Sequence, residues 1–279
     1  MKKAIKILSL VDVIFLILLM ASGTLNGIAS DVAYFLAFLI PFAIAFYYSR
    51  ELRTEREEVC GVSEPLDTYL RFDKSKVTLL LPLITPCILI VFTLAALTSL
   101  LLSVIGFSNP QPQDTGIFTM LLVHAVCPAV LEELLFRYIP MKLIAPYSGR
   151  WCVVFSSLFF ALIHANLFQM PYAFVAGALF MCVNLAFNSL WPSLILHLIN
   201  NAASVIWMKY CTDVTAMLIF TVVVLSLAIV SGVFVFLRRD RYKSYLRSAL
   251  SKGECEFDMK APVALIVISL YISLMSLFA

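Results

Sequence analysis

Charge is scarce in this chain. Only 13% of its 279 residues are Asp, Glu, Lys or Arg, whereas 62% are hydrophobic. A soluble domain is about 25% charged and about 45–50% apolar, so a soluble globular enzyme and a disordered protein are both excluded. The mean hydropathy of +0.98 agrees. The net charge of +3 is too small to indicate a nucleic-acid partner. The seven cysteines (Cys60, Cys87, Cys127, Cys152, Cys182, Cys211 and Cys255) form no CxxC pair, and most lie inside apolar runs. That argues against a disulfide scaffold or a cysteine metal site and for small interior or lipid-facing residues. No internal repeat is visible, which argues against a transporter built of two related halves. The apolar run after the N-terminal lysines is too long for a cleaved signal and lacks an A-x-A-like site, so it reads as a retained first helix.

What is present is a series of long, continuous apolar runs, the signature of membrane-spanning helices rather than a closed barrel. Nine can be drawn: 7–28, 32–48, 77–107, a fourth starting near Ile117 and passing through LEELLFRY, 151–165, 171–187, 192–208, 214–237 and 262–278. The expected fold is all-α, a polytopic transmembrane bundle of about eight to nine spans in a single domain covering residues 1–279. With the N-terminus inside, this threading puts nineteen of the twenty Lys and Arg residues on the cytoplasmic side and leaves Lys209 outside, as the positive-inside tendency requires. Membrane lipids are the generic partner of such a surface.

Ionisable residues within apolar spans are rare and mark function, because each costs about 2.5–3.5 kcal/mol to insert. Here they concentrate in three places: Glu132, Glu133 and Arg137; His164; and His197 with Asn200 and Asn201. Of the three histidines in the chain, His164 and His197 both fall in strongly apolar spans, while His124 has no acidic or amide neighbour within a turn and reads as structural. Residues four apart share a helix face, so Glu133 pairs with Arg137. Glu132 is rotated by about 100° and has no partner on its own helix, which leaves it placed to take a proton from water. The alternative is an ionic latch in which both acids share Arg137. His197 and Asn201 are also four apart and offer two N–H donors in one direction, the equipment of an oxyanion hole, with interhelical hydrogen bonding as the alternative. Phe160, one turn before His164, can wall off and orient that imidazole. Asn184 and Asn188 read as glue between helices.

EELLFR at Glu132–Arg137 resembles the EExxxR motif of the CPBP family of intramembrane proteases, which includes CAAX prenyl endopeptidases and bacteriocin-processing (Abi-like) proteins. FALIH at Phe160–His164 resembles its FxxxH motif, and HLINN at His197–Asn201 its HxxxN motif; order and spacing match as well. The resemblance covers residues 115–209. It implies packed membrane helices around a conical catalytic cavity and hydrolysis of peptide bonds in membrane-tethered proteins or peptides, either CAAX-like or of leader type. It further implies that Glu132 is the general base, assisted by His164, that His197 and Asn201 hold the oxyanion, and that Glu133 and Arg137 order the site. A non-catalytic immunity or scaffold protein using the same pocket for binding is the competing reading. No cofactor is required in the favoured version, although Glu132, His164 and His197 would also compose a two-His, one-Glu zinc set. A bacterial plasma membrane is the expected location; the oligomeric state is left open.

Simple threading raises one conflict. At 1.5 Å per residue, His164 would lie about 20 Å from Trp151, too far toward the outer side to meet His197. Either the fifth span starts below the surface or the link Asn166–Met170 lies within the membrane depth, where non-helical backbone is tolerated if it lines a water-filled cavity; the reading expects a short, sunken fifth helix and a cavity open to the cytoplasm.

Overall fold

The computed structural model describes residues 2–25, 28–52, 68–107, 116–164 and 166–251. The ninth expected span, most of the charged stretch after the second, the linker that precedes Gly116, and the basic residues Arg53, Arg56, Lys252 and Lys260 lie outside the described residues. Everything regular that is described is helical: α1 (Lys2–Gly23), α2 (Ile28–Glu51), α3 (Lys74–Val104, entered through short turns), α4 (Ile117–Leu143), α5 (Gly149–Leu162), α6 (Met170–Phe187), α7 (Trp191–Tyr210), α8 (Val214–Leu237) and α9 (Arg239–Leu250). The all-α polytopic bundle is thus the observed fold.

Six of these helices (α1, α2, α3, α4, α6 and α8) are long and apolar enough to cross a membrane. Two expected spans differ, each for a visible reason. α5 has 14 residues, short of the ~20 that a ~30 Å hydrocarbon core needs; this is the short fifth helix that the His164 conflict demanded. α7 is long enough at 20 residues, but His197, Asn200, Asn201 and Lys209 dilute its apolar character. Helix α8 shows the opposite extreme. It is apolar all round and buries only Ala228, the pattern of a helix facing lipid. Its start is fixed by Asp213, whose carboxylate accepts the Ala216 N–H at 2.9 Å.

The interior is built from stripes at helical spacing. On α1, Ala4, Leu8, Val11 and Phe15 are buried, and Phe15 meets Phe38 of α2 edge-on at 4.7 Å and Phe136 of α4 at 5.7 Å. One core joins α1, α2, the second half of α4 and α5. A second joins α3, α6 and α7.

Helix α4 is irregular at two places, and both precede a proline. Residues Leu122–Val126 and Leu134–Tyr138 are π-helical, with the Cys127 N–H bonded to Leu122 and the Ile139 N–H to Leu134, five residues back. Pro128 and Pro140 follow. A proline has no N–H for the carbonyl four residues before it, and the widened turn relieves the resulting clash. The Phe136 carbonyl, freed by Pro140, is taken up by Ser156 Oγ of α5 at 2.5 Å. The defect in α4 is therefore what ties it to α5. Lys142 is buried, with its ammonium over the rings of Tyr69 (5.0 Å) and Tyr138 (5.7 Å).

Helices α5 and α6 approach most closely at Gly177. A Cβ there would lie 3.0 Å from the Ser157 Cα and 3.3 Å from Cδ1 of Phe160, the close small-residue packing favoured between membrane helices. Gly149 is similarly pressed against the Ala249 carbonyl of α9. After α6, Asn188 takes the left-handed conformation (φ 53°), which Asn tolerates best after Gly, and the chain reverses into α7. The short 3-10 turn Thr68–Leu70 before α3 straps this reversal: Leu190 N–H donates to Tyr69 O at 2.7 Å and Trp191 Nε1–H to Leu70 O at 2.8 Å.

Replacing Gly177 with Leu is expected to destabilise the bundle by about 1–3 kcal/mol through overpacking, read as a lowered midpoint of thermal unfolding in detergent, with Gly177→Ala intermediate.

Candidate active site

Three elements supply the polar residues. Helix α4 carries Glu132, Glu133 and Arg137; the turn after α5 carries His164; α7 carries Ser193, His197, Asn200 and Asn201. All but His164 and Asn201, which are half-buried, lie in the interior.

Glu133 is the hub of charge. It is fully buried and sits 3.5 Å from Arg137 Nη2, as the four-residue spacing predicts. It has two further partners that no single-helix argument supplies. Oε1 accepts from His197 Nδ1 at 2.9 Å, and Oε2 accepts from the Ser193 hydroxyl. Because a carboxylate oxygen only accepts, Nδ1 of His197 carries a proton. The other ring nitrogen, Nε2, then faces Glu132, whose Oε2 lies 3.6 Å away. Glu132 therefore has no partner on its own helix, as expected, but it is not isolated: its neighbour comes from α7. The shared-latch alternative does not describe this arrangement, because Glu133 takes the arginine.

Arg137 is fully buried, and its guanidinium nitrogens make no hydrogen bond among the described residues. It is held by charge and by aromatic faces. Its Cζ stands 4.0 Å from the centroid of Phe160 and 5.7 Å from that of Phe180. A desolvated cation over a ring gains about 2 kcal/mol or more.

Phe160 organises the rest. Its ring meets His164 edge-on at 5.0 Å and His197 edge-on at 5.7 Å, so both imidazoles border one phenyl group. Its carbonyl accepts from His164 Nδ1 at 2.7 Å. A carbonyl only accepts, so His164 is the Nδ1–H tautomer when neutral and Nε2 is its basic nitrogen. The wall expected from Phe160 is present, together with two roles that sequence did not reveal: the tautomer lock and the arginine platform. The described backbone from Asn166 to Gln169 is non-helical and is closed by Asn166, whose side chain accepts the Phe168 N–H at 2.9 Å and whose carbonyl accepts the Met170 N–H at 2.9 Å.

Two residues of the HLINN segment exchange emphasis. Asn201, predicted to point with His197, is half-buried, whereas Asn200 is buried with Oδ1 lacking a partner among the described residues. Asn184 does act as glue: Nδ2 donates to Ser193 Oγ at 2.6 Å and Oδ1 accepts the Ser193 N–H at 2.9 Å. Ser193 was missed. The signal was available, since it lies four residues before His197 on the same face. Among the described residues, no group of three His, Cys, Asp or Glu side chains is arranged to hold a metal ion; Glu132, His164 and His197 do not form a ready ligand set.

Removing one member of the buried ion pair leaves an uncompensated charge, at a cost of about 3–5 kcal/mol. Arg137→Leu is accordingly expected to unfold at a markedly lower temperature in detergent, and adding Glu133→Gln to it is expected to restore part of the loss.

Comparison with known proteins falls on this same region. Nothing among curated proteins and no solved structure matches the chain. Residues 114–203, which include every polar residue described above from Glu132 to Asn201, match the family of Rce1-like type II CAAX prenyl endopeptidases.

Proposed function

We propose that this protein is an intramembrane endopeptidase that hydrolyses peptide bonds in membrane-associated substrates, CAAX-like or of leader type. The observation that carries the proposal is the division of labour between adjacent acids. Glu133 is committed to Arg137, Ser193 and Nδ1 of His197, while Glu132 faces Nε2 of His197 at 3.6 Å. Buried charge on this scale, within apolar helices, is costly to retain without a use. Similarity of residues 114–203 to a protease family supports the same reading.

In the proposed reaction, Glu132 takes a proton from a water molecule as its oxygen adds to the scissile carbonyl carbon. His164, through Nε2, accepts a hydrogen bond from that water and orients it. The carbonyl oxygen becomes an oxyanion, held by the Asn201 amide and by Nε2–H of doubly protonated His197, whose other N–H rests on Glu133. Collapse of the tetrahedral intermediate breaks the C–N bond, and the leaving amine takes the proton from Glu132. A water-filled cavity reaching Glu132 from the cytoplasmic side belongs to this reading, as does a bacterial plasma membrane with the N-terminus inside. No step is routed through a metal.

Glu132→Gln keeps the shape and removes the base. Cleavage of a lipidated reporter peptide, followed by mass spectrometry of the products, is expected to fall by at least about 10²–10⁴-fold while thermal stability is kept. Undiminished cleavage by this variant would sink the assignment, and activity lost to a chelator and restored by zinc would replace the mechanism. A variant that keeps full biological effect without cleavage would favour the immunity or scaffold reading.

A further inference from the structure

The reaction above leaves Ser193 and Asn184 without a role, yet both are fully buried and aimed at the site. Their hydrogen-bond direction can be deduced. The Ser193 N–H only donates, so the Asn184 atom facing it at 2.9 Å is Oδ1. That places Nδ2 against the Ser193 Oγ at 2.6 Å, as a donor. The hydroxyl has one proton of its own. Its acceptors are Oε2 of Glu133 and, farther away at 3.1 Å, the Leu190 carbonyl. The chain therefore runs from Asn184 to Ser193 to Glu133. The two carboxylate oxygens are thereby allotted, Oε2 to Ser193 and Oε1 to Nδ1 of His197.

This allotment meets a competitor. Arg137 lies 3.5 Å from the same carboxylate and makes no hydrogen bond among the described residues. A guanidinium prefers a two-pronged bond to a carboxylate. Without a donor on Oε2, Glu133 is free to rotate toward Arg137 and release His197.

We propose that Asn184 and Ser193 are positioning residues. They clamp the Glu133 carboxylate away from a forked bond with Arg137 and so hold the Nδ1–H of His197 on Oε1, with Nε2 turned to Glu132. The proposal rests on the reading of Glu132 and His197 as reacting groups, and it adds residues outside the three motifs. It also gives the α6–α7 turn a function: the left-handed Asn188 brings Asn184 and Ser193 face to face.

The test uses the full chain in detergent or nanodiscs, labelled with ¹⁵N-histidine. Only three histidines need to be assigned. The wild type is expected to show a protonated Nδ1 on His197. Ser193→Ala is expected to lower kcat about 10- to 100-fold, the usual range for a partner that orients a site residue, with KM within about twofold, and to move the His197 Nδ1 resonance. Ser193→Thr, which keeps the hydroxyl, is expected to stay within about threefold of the wild type. The proposal is overturned by a wild-type His197 without a proton on Nδ1. It is equally overturned by Ser193→Ala with unchanged kcat and resonance, or by Ser193→Thr as impaired as Ser193→Ala, which would indicate packing. If Ser193→Ala does not fold, the wild-type resonance and Ser193→Thr decide. If the wild type cleaves nothing, the peptidase reading falls, and the resonances still judge the clamp.

Discussion

A full positive charge sealed inside an apolar bundle constrains this molecule more than any other single feature. Arg137 has no exposure and no direct hydrogen bond among the described residues. Desolvating such a group costs several kcal/mol even after relaxation. The cost is offset by Glu133 one turn earlier and by the ring of Phe160 from another helix. The ion pair still leaves carboxylate lone pairs to satisfy, and these draw in His197 and Ser193 from α7. Charge compensation at one position thus brings α4, α5 and α7 together there, and the geometry of the candidate site is a consequence of that meeting.

Phe160 shows how few contacts set the arrangement. Its ring carries the arginine and borders both imidazoles, while its carbonyl fixes the tautomer of His164. The height of this ring is set by the close contact of α5 with Gly177 and by the Ser156 bond to the Phe136 carbonyl. That carbonyl is free only because Pro140 has no N–H to offer it. A proline, a π-helical turn, a serine and a glycine together place the ring on which the site is assembled.

Much of the fold was legible because its signals are local. Long apolar runs announce helices without reference to any neighbour, and α1, α2, α3, α4, α6 and α8 are where hydropathy puts them. The short α5 was legible indirectly, from the impossibility of bringing His164 to His197 across a full span. In the site, the Glu133–Arg137 pair followed from spacing on one helix. The Glu133–His197 bond did not, since it joins residues on different helices and depends on how these rotate about their axes. The same rotation decides that Asn200 is buried while Asn201 is half-buried, a distinction invisible in the pattern HLINN.

The amino-acid sequence by itself determined that the chain forms apolar helices, that a few ionisable groups are buried among them, and which of those groups share a helix face. These properties follow from transfer free energy and the 3.6-residue turn, both of which act along the chain. Only the tertiary structure decided which acid holds the arginine together with the histidine, which nitrogen of each imidazole is tied to an acceptor, and that Ser193 and Asn184 belong to the site. Those outcomes depend on hydrogen bonds between side chains far apart in sequence, whose directions are fixed only once the helices have packed.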